Sequence, residues 1–305
     1  MKISYYNYVW YNGEIVEWNK ATVHIMTHAL HYGTSIIEGI RAYADEENVY
    51  VFRLVDHMKR LINSAKIYSF NLKYGLDKLV KAVIEIIRAN NVKEDCYIRP
   101  IAFVGMQGID LYVSKDSPIN VAIILLKFGQ YFKSEGIRAC ISSWRRIYDP
   151  SIPPLAKAAG NYLNSILAIQ ECRRNGYDEA IMLDINGNVS EAAGENIFIV
   201  RRGKIYTPPL SAGILEGITR DTVITIARDL GYEVIERNIL KSELYISDEI
   251  FLTGTATEIT PVISVDGITI GDGKIGPITK SIKEIYHQVV RNKILKYSHW
   301  LTKVY

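Results

Sequence analysis

A mixed α+β fold in two domains is what this 305-residue chain predicts, and three observations carry the prediction. Length comes first: a chain this long buries a sizeable core and exceeds the usual size of one domain. Composition is second, because 48% hydrophobic and 23% charged residues are the proportions of a globular protein. Pattern is third. Short alternating or apolar runs interleave with stretches of helical spacing, and a polar break from Gly129 to Gly136 separates two such groups. The expected division is a small domain over 1–128, a linker over 129–136 and a larger domain over 137–305.

Along the chain, residues 8–18 alternate around Asn12-Gly13, which predicts a type I′ hairpin. Tyr50 to Leu54 reads as a strand, His57 to Ser69 and Leu76 to Asn90 as helices, and Cys96 to Val104 and Asn120 to Lys127 as strands. In the second group, Ile137 to Trp144 is a strand. A helix follows Asn161, its expected N-cap, with Leu163, Ile166, Leu167, Ala168 and Ile169 as its apolar face and Asn175-Gly176 as its stop. Two hairpins are expected next, around Asn186-Gly187 and Arg202-Gly203, then a helix over 219–230 ended by Gly231. Glu249 to Thr253 and Val262 to Val265 read as strands. The last long helix starts near Pro277, a residue suited to a first turn.

Several partner classes are disfavoured. The net charge of +3 is spread without a basic block, which argues against nucleic acid. Val121 to Leu126, the longest apolar run, is too short to cross a bilayer, and the first residues lack the apolar core of a signal peptide. Cys96, Cys140 and Cys172 form no CxxC or metal spacing and read as reduced thiols, so a cytoplasmic location is expected. Abundant Ile, Tyr, Lys and Glu with four glutamines point to a heat-adapted source.

Chemistry concentrates in a few stretches. Lys157 stands among small apolar residues after Pro153-Pro154 and just before a helix. An ammonium in apolar surroundings is disfavoured in its charged form, and a neutral lysine is a nucleophile toward aldehydes, the Schiff-base chemistry of pyridoxal phosphate. Such a cofactor needs a carboxylate for its pyridine nitrogen, and Glu191 and Glu195 are both candidates. Gly217-Ile218-Thr219 opens a helix whose first amides suit a phosphate, and the turn from Thr253 to Glu258 offers further hydroxyls and amides. Arg53 could add a charge-assisted contact to the same phosphate. His24, His28 and His31 share a helical face, yet structural hydrogen bonding is favoured over a metal, and none is expected.

Taken together these segments resemble the branched-chain aminotransferases, a group of fold-type IV pyridoxal phosphate enzymes in the class IV aminotransferase family. The motifs that carry the likeness are His28 to Ser35, Glu38 to Tyr43, Tyr97-Ile98-Arg99-Pro100, the segment from Glu191 to Arg220, and Gly254 to Val262, in order along nearly the whole chain. The resemblance implies a fold-type IV architecture, with a pseudo-barrel sheet in the larger domain. It implies transamination between leucine, isoleucine or valine and 2-oxoglutarate, giving glutamate by a ping-pong mechanism within branched-chain amino acid biosynthesis. A homodimer or higher homo-oligomer is implied too, with the loop from Gly105 to Leu111 reaching a neighbouring subunit.

Residue by residue, it makes Lys157 the cofactor lysine and proton carrier, Glu191 the partner of the pyridine nitrogen, and Tyr162 the partner of the ring oxygen. Arg53, Gly217, Ile218, Thr219 and Thr255 would hold the phosphate. Tyr97, with Thr255 and Ala256, would bind the substrate α-carboxylate, Arg99 would meet the side chain of glutamate, and Arg41 joins the substrate set. Tyr32, Ile37, Gly39, Phe128 and Tyr131 would wall the side-chain pocket, whose small Ile37 suggests a broadened range of substrates. A lyase of the aminodeoxychorismate type or a D-amino acid aminotransferase would share the cofactor, but Glu38 to Arg41 and Gly254 to Val262 speak against both.

Overall fold

The computed structural model describes residues 4–127, 129 and 136–305. The chain divides into two compact units, one of Met1–Gly129, Ala156–Gly160 and Gln288–Tyr305, the other of Gln130–Leu155 and Asn161–His287. The short Ala156–Gly160 segment therefore belongs with the N-terminal residues, because Ala158 bridges Ile36 and Lys157 O accepts from Ile37 N–H at 2.9 Å.

The first unit begins with β1 (Ser4–Tyr5), β2 (Tyr8–Tyr11) and β3 (Glu14–Glu17). Asn12 and Gly13 both take positive φ between β2 and β3, the backbone that a type I′ turn demands. Next come α1 (His28–Tyr32), β4 (Ser35–Ile37), β5 (Ile40–Ala44), β6 (Val49–Phe52), α2 (Leu54–Ile67), α3 (Leu76–Ala89), β7 (Cys96–Val104) and β8 (Ile119–Lys127). β4 and β5 run along β7 in one register, with Ile37 opposite Ile101 and Ile40 opposite Ile98. Glu38-Gly39 interrupts them opposite Arg99 and Pro100, where the proline has no amide to give the ladder. Leu54, Met58, Leu61 and Ala65 of α2 pack with Ile36, Ile40, Ala42 and Ile98 to form the core of this unit.

The second unit contains β9 (Ile137–Arg145), α4 (Tyr162–Arg174), β10 (Glu179–Leu183), β11 (Val189–Ala192), β12 (Asn196–Arg201) and β13 (Lys204–Thr207). It continues with α5 (Ile218–Asp229), β14 (Val234–Glu236), α6 (Lys241–Tyr245), β15 (Glu249–Gly254), β16 (Glu258–Val265), β17 (Ile268–Thr269) and α7 (Pro277–Val290). The chain then returns to the first unit, where β18 (Leu301–Lys303) pairs with β6. The sheet of the second unit runs β11-β10-β9-β16-β15-β12-β13-β14. Its two ends are tied: Val189 at the start of β11 donates to Ile239 O just beyond β14, and Asn188 bridges Leu240. A sheet whose edges meet in this way curls into a barrel-like layer, as expected. Its inner core holds Ile181, Val189, Ile197, Ile199, Ile250, Leu252 and Val262.

α4 departs from the sequence reading in two ways. Asn161 already has helical φ and ψ and makes no side-chain cap; its Nδ2 donates to Pro153 O at 3.2 Å. The large apolar residues Leu163, Ile166 and Leu167 are exposed, and Ser165, Ala168 and Cys172 form the buried stripe. The reason is closeness: small side chains at i, i+3 and i+7 let the helix approach the sheet, where Ala168 and Cys172 pack with Cys140, Ala180 and Met182.

Glu179 opens β10 nearly buried. Burial pushes its carboxyl up to about 7, against the opposing amides of Ala180 and Ala193 and the nearby Arg173, with Cys140 adding to the rise. The folded protein thus holds this proton more tightly than the unfolded chain. The resulting stability is full at acid pH and is lost as pH rises through about 7. Between pH 5 and pH 8, unfolding free energy of the wild type relative to Glu179→Gln should fall by about 3 kcal/mol, read by denaturant titration.

Candidate active site

Lys157 is fixed by its main chain to two elements of the first unit. Its carbonyl takes the Ile37 amide at the end of β4, and its own amide donates to Ser64 Oγ on α2 at 3.0 Å. Gly160 lies against Gly33, the left-handed C-cap of α1; a Cβ on Gly33 would stand 3.3 Å from Gly160 Cα, so two glycines bring these backbones together.

The alternation of a strand sorts the neighbouring residues. Ile37, Gly39 and Arg41 fall on one face of β4 and β5, and Tyr97 and Arg99 of β7 fall on the same face, because Arg41 stands opposite Tyr97. Five residues expected at a substrate site are thereby gathered on one side of one sheet. Arg99 Nη2 donates to Tyr97 Oη at 2.8 Å. Gly39 is required here: a Cβ would stand 2.1 Å from Tyr97 Oη.

Glu38 points to the other face, toward α2, and is completely buried. His57 Nδ1 donates to its Oε2 at 2.7 Å, and Arg60 Nε and Nη2 reach its two oxygens at 2.6 and 2.9 Å. Burial alone would raise the Glu38 carboxyl, but Arg60 and His57 outweigh it and hold the group well below the usual carboxylate range. Burial also lowers His57; Glu38 opposes that shift, and the cations of Arg60 and Lys157 reinforce it. A neutral imidazole donating to a carboxylate follows. His57, Arg60 and Ser64 lie at i, i+3 and i+7, so one stripe of α2 carries this cluster and the bond to Lys157.

Arg53 sits differently. As the left-handed N-cap of α2 it pairs with Asp56 and lays its guanidinium 5.0 Å from the centre of the Trp300 ring. Tyr32 is exposed on α1 and donates to Ile109 O at 3.0 Å. His28 bridges Thr34 and Asp110 O, and His31 meets Ile25 O, the structural hydrogen bonding expected of them. Phe128 and Tyr131 lie outside the described residues.

In the second unit the centre is Glu191, on β11. Arg146 Nη2 pairs with its Oε1 at 2.8 Å, while Asn196 Nδ2 and the Leu215 amide donate to its Oε2 at 2.9 and 3.1 Å. Both side chains of the ion pair are over nine-tenths buried. A buried carboxylate facing a guanidinium and two N–H donors is favoured in its charged form. Asn196 also donates to Leu215 O, and a Cβ on Gly217 would stand 1.9 Å from its Oδ1. Gly217 is the N-cap of α5, so Asn196 ties the carboxylate to the helix start, where Ile218 and Thr219 present first-turn amides. Thr255 and Ala256 occupy the turn between β15 and β16. Beside it Thr253 and Thr257 have buried hydroxyls without a protein partner. Tyr162 begins α4, five positions after Lys157. Glu195, the alternative carboxylate, accepts from the Gly194 amide at 3.2 Å.

Sequence reasoning missed Glu38 as a buried hub, its partners His57 and Arg60, and the Arg146–Asn196 support of Glu191. For α2 a signal existed: polar residues recur on its buried stripe. For Arg146, in the run Trp144-Arg145-Arg146, no signal existed.

The profile of the class IV amino-transferases matches residues 35–265, and the chain belongs to that family. Its relatives within the family include branched-chain enzymes. The branched-chain-amino-acid aminotransferase of Escherichia coli K12 is 46% identical over 302 residues, covering 98% of this chain and 97% of its own. The crystal structure of a branched-chain aminotransferase from the thermophilic archaeon Thermoproteus uzoniensis with norvaline superposes with a TM-score of 0.95 at 51% identity, covering 98% of this chain and all of that one. The branched-chain amino acid aminotransferase of Thermobaculum terrenum in its PLP-bound holo-form gives 0.94, at 39% identity over 99% of this chain and 99% of that one.

The contact at Gly39 yields a direct test. Gly39→Ala should displace Tyr97 from Arg99 and lower kcat/KM at least tenfold while the protein stays folded, with a loss of about 1–3 kcal/mol from overpacking. Steady-state kinetics and a thermal melt on the same sample check both parts.

Proposed function

We propose that this chain is a pyridoxal phosphate-dependent transaminase that moves the amino group of leucine, isoleucine or valine to 2-oxoglutarate, yielding the branched 2-oxo acid and L-glutamate. The observation that carries the reading is the held carboxylate of Glu191 beside the open start of α5, within a chain that matches branched-chain aminotransferases over nearly its full length. The residues fit the cofactor. Glu191 suits a protonated pyridine nitrogen, Gly217 allows close approach, and the amides of Ile218 and Thr219 with the hydroxyls of Thr255 and Thr257 suit a phosphate.

When bound, pyridoxal phosphate supplies the electron sink that stabilises a carbanion at the substrate Cα. Lys157 binds the cofactor and carries the proton to and from that Cα. Its main-chain bonds to Ile37 and Ser64 limit where the amine can go. Tyr162 would hydrogen-bond the ring oxygen. For the phosphate cation, Arg60 joins Arg53 as a candidate: it shares the α2 stripe that reaches Lys157, and each already has a partner, Arg60 in Glu38 and Arg53 in Asp56.

One substrate face must serve two kinds of side chain in the two half-reactions. Ile37 and the bare Gly39 give apolar room for a branched chain. A buried carboxylate without a partner costs several kcal/mol, roughly, so glutamate needs a cation, and Arg99 beside Tyr97 supplies it. Arg41, Tyr32, Thr255 and Ala256, with Phe128 and Tyr131, complete the proposed set.

A homodimer or higher assembly is part of the reading. Ile25 and Leu30 around α1, and Met106, Ile109, Leu111 and Tyr112 of the loop between β7 and β8, are exposed apolar residues; bonds from His28 and Tyr32 to that loop join them. Such a patch suits a second copy of the chain. No helix among the described residues is long and apolar enough to cross a membrane. A cytoplasmic, biosynthetic role in a heat-adapted organism completes the proposal, with side-chain breadth beyond the branched amino acids.

A panel of amino donors with 2-oxoglutarate tests the reaction: branched donors should form glutamate fastest, and pyruvate release from aminodeoxychorismate without glutamate would favour the lyase instead. Lys157→Ala should retain cofactor yet lose essentially all turnover; near-normal rates would refute its role. Arg99→Ala should cut kcat/KM for glutamate about 100-fold while leucine changes less than about fivefold. Equal losses would contradict the two-substrate argument.

A further inference from the structure

Two cysteines distant in sequence meet in the second unit. Cys140 lies on β9, beside Ala180 of β10, and Cys172 lies in the last turn of α4. Both are free thiols in one small core cluster with Ala168, Ala180 and Met182. The two thiols are neighbours across the β9–α4 packing, close enough to interact through their side chains. We infer that Cys140 and Cys172 form a two-electron redox pair, a site of reversible disulfide formation whose oxidant is a hydroperoxide.

The two sulfurs are not equivalent. Cys140 is 6% exposed and Cys172 is fully buried. Burial, with the nearby charge of Glu179, pushes the Cys172 thiol up. The attacking sulfur must be reached by the oxidant, so Cys140, with its exposed edge, is the entry point and Cys172 resolves. Cys96, in the first unit, is the internal control: burial, with Asp95 and Glu94, pushes its thiol up to about 12.

The chemistry balances with hydrogen peroxide. Cys140 sulfur attacks one peroxide oxygen, the O–O bond breaks, and the departing hydroxide takes up the Cys140 proton as water. The resulting sulfenic acid is attacked by Cys172 sulfur. The S–S bond forms, the S–O bond breaks, and hydroxide leaves with the Cys172 proton as a second water. Two thiols have lost two electrons and one peroxide has become two waters. The new bond ties the end of α4 to β9.

The test uses the reduced holoenzyme, treated natively with hydrogen peroxide, quenched with catalase, then denatured in iodoacetamide and digested for mass spectrometry. The expected product is a peptide pair linked through Cys140 and Cys172, with Cys96 alkylated. The melting midpoint should rise by about 5 °C and return with dithiothreitol. Cys172→Ala, a small apolar replacement, should abolish the link and the rise. Three alkylated cysteines after treatment, a sulfinic acid on Cys140 without a link, or a link formed only after unfolding would each overturn the inference.

Discussion

The second unit depends on one buried ion pair, Arg146 to Glu191, and on the asparagine that fixes its geometry. Removing one member of such a pair leaves an uncompensated charge and costs about 3–5 kcal/mol. Asn196 uses its amide twice, on Glu191 and on Leu215 O, and its carbonyl leaves room at α5 only for a residue without a side chain. One strand, one loop and one helix start are therefore set together. On the proposed function, the carboxylate for a ring nitrogen and the amides for a phosphate keep a constant separation through this arrangement.

The first unit solves a different problem by strand alternation. Residues on one side of β4, β5 and β7 present a mixed apolar and cationic surface, while Glu38, on the opposite side, is neutralised from α2. The same stripe of α2 holds the main chain of Lys157 through Ser64. The burial cost of Glu38 is met by a guanidinium and a neutral imidazole, so its charge persists without solvent. The main chain of Lys157 is thus held from two sides, by Ile37 and by Ser64.

Much of this is legible in the sequence, because periodicity and turn chemistry are local. The hairpin at Asn12-Gly13, the strand carrying Tyr97 and Arg99, and the helix opening at Gly217 all form where local pattern places them. The packing face of α4 escapes such a reading, because its buried stripe is made of small residues while its largest apolar side chains face outward. The supports of Glu191 and the meeting of Cys140 with Cys172 are products of tertiary contact between distant segments. A lone arginine or cysteine carries no periodic signal. Arg53 and Arg60 show the same limit from the other side: residue type alone suits either to a phosphate, and nothing local reveals that Arg53 meets Asp56 and Trp300 while Arg60 meets Glu38.

On the proposed function, the charge on Glu191 keeps the cofactor ring protonated. The most direct measurement is the 15N NMR shift of the pyridine nitrogen in holoenzyme reconstituted with labelled pyridoxal phosphate, in the wild type and in Glu191→Gln. The account predicts a protonated nitrogen at neutral pH in the wild type and an unprotonated one in the variant. An unprotonated nitrogen in the wild type, or a protonated one in both, would contradict it.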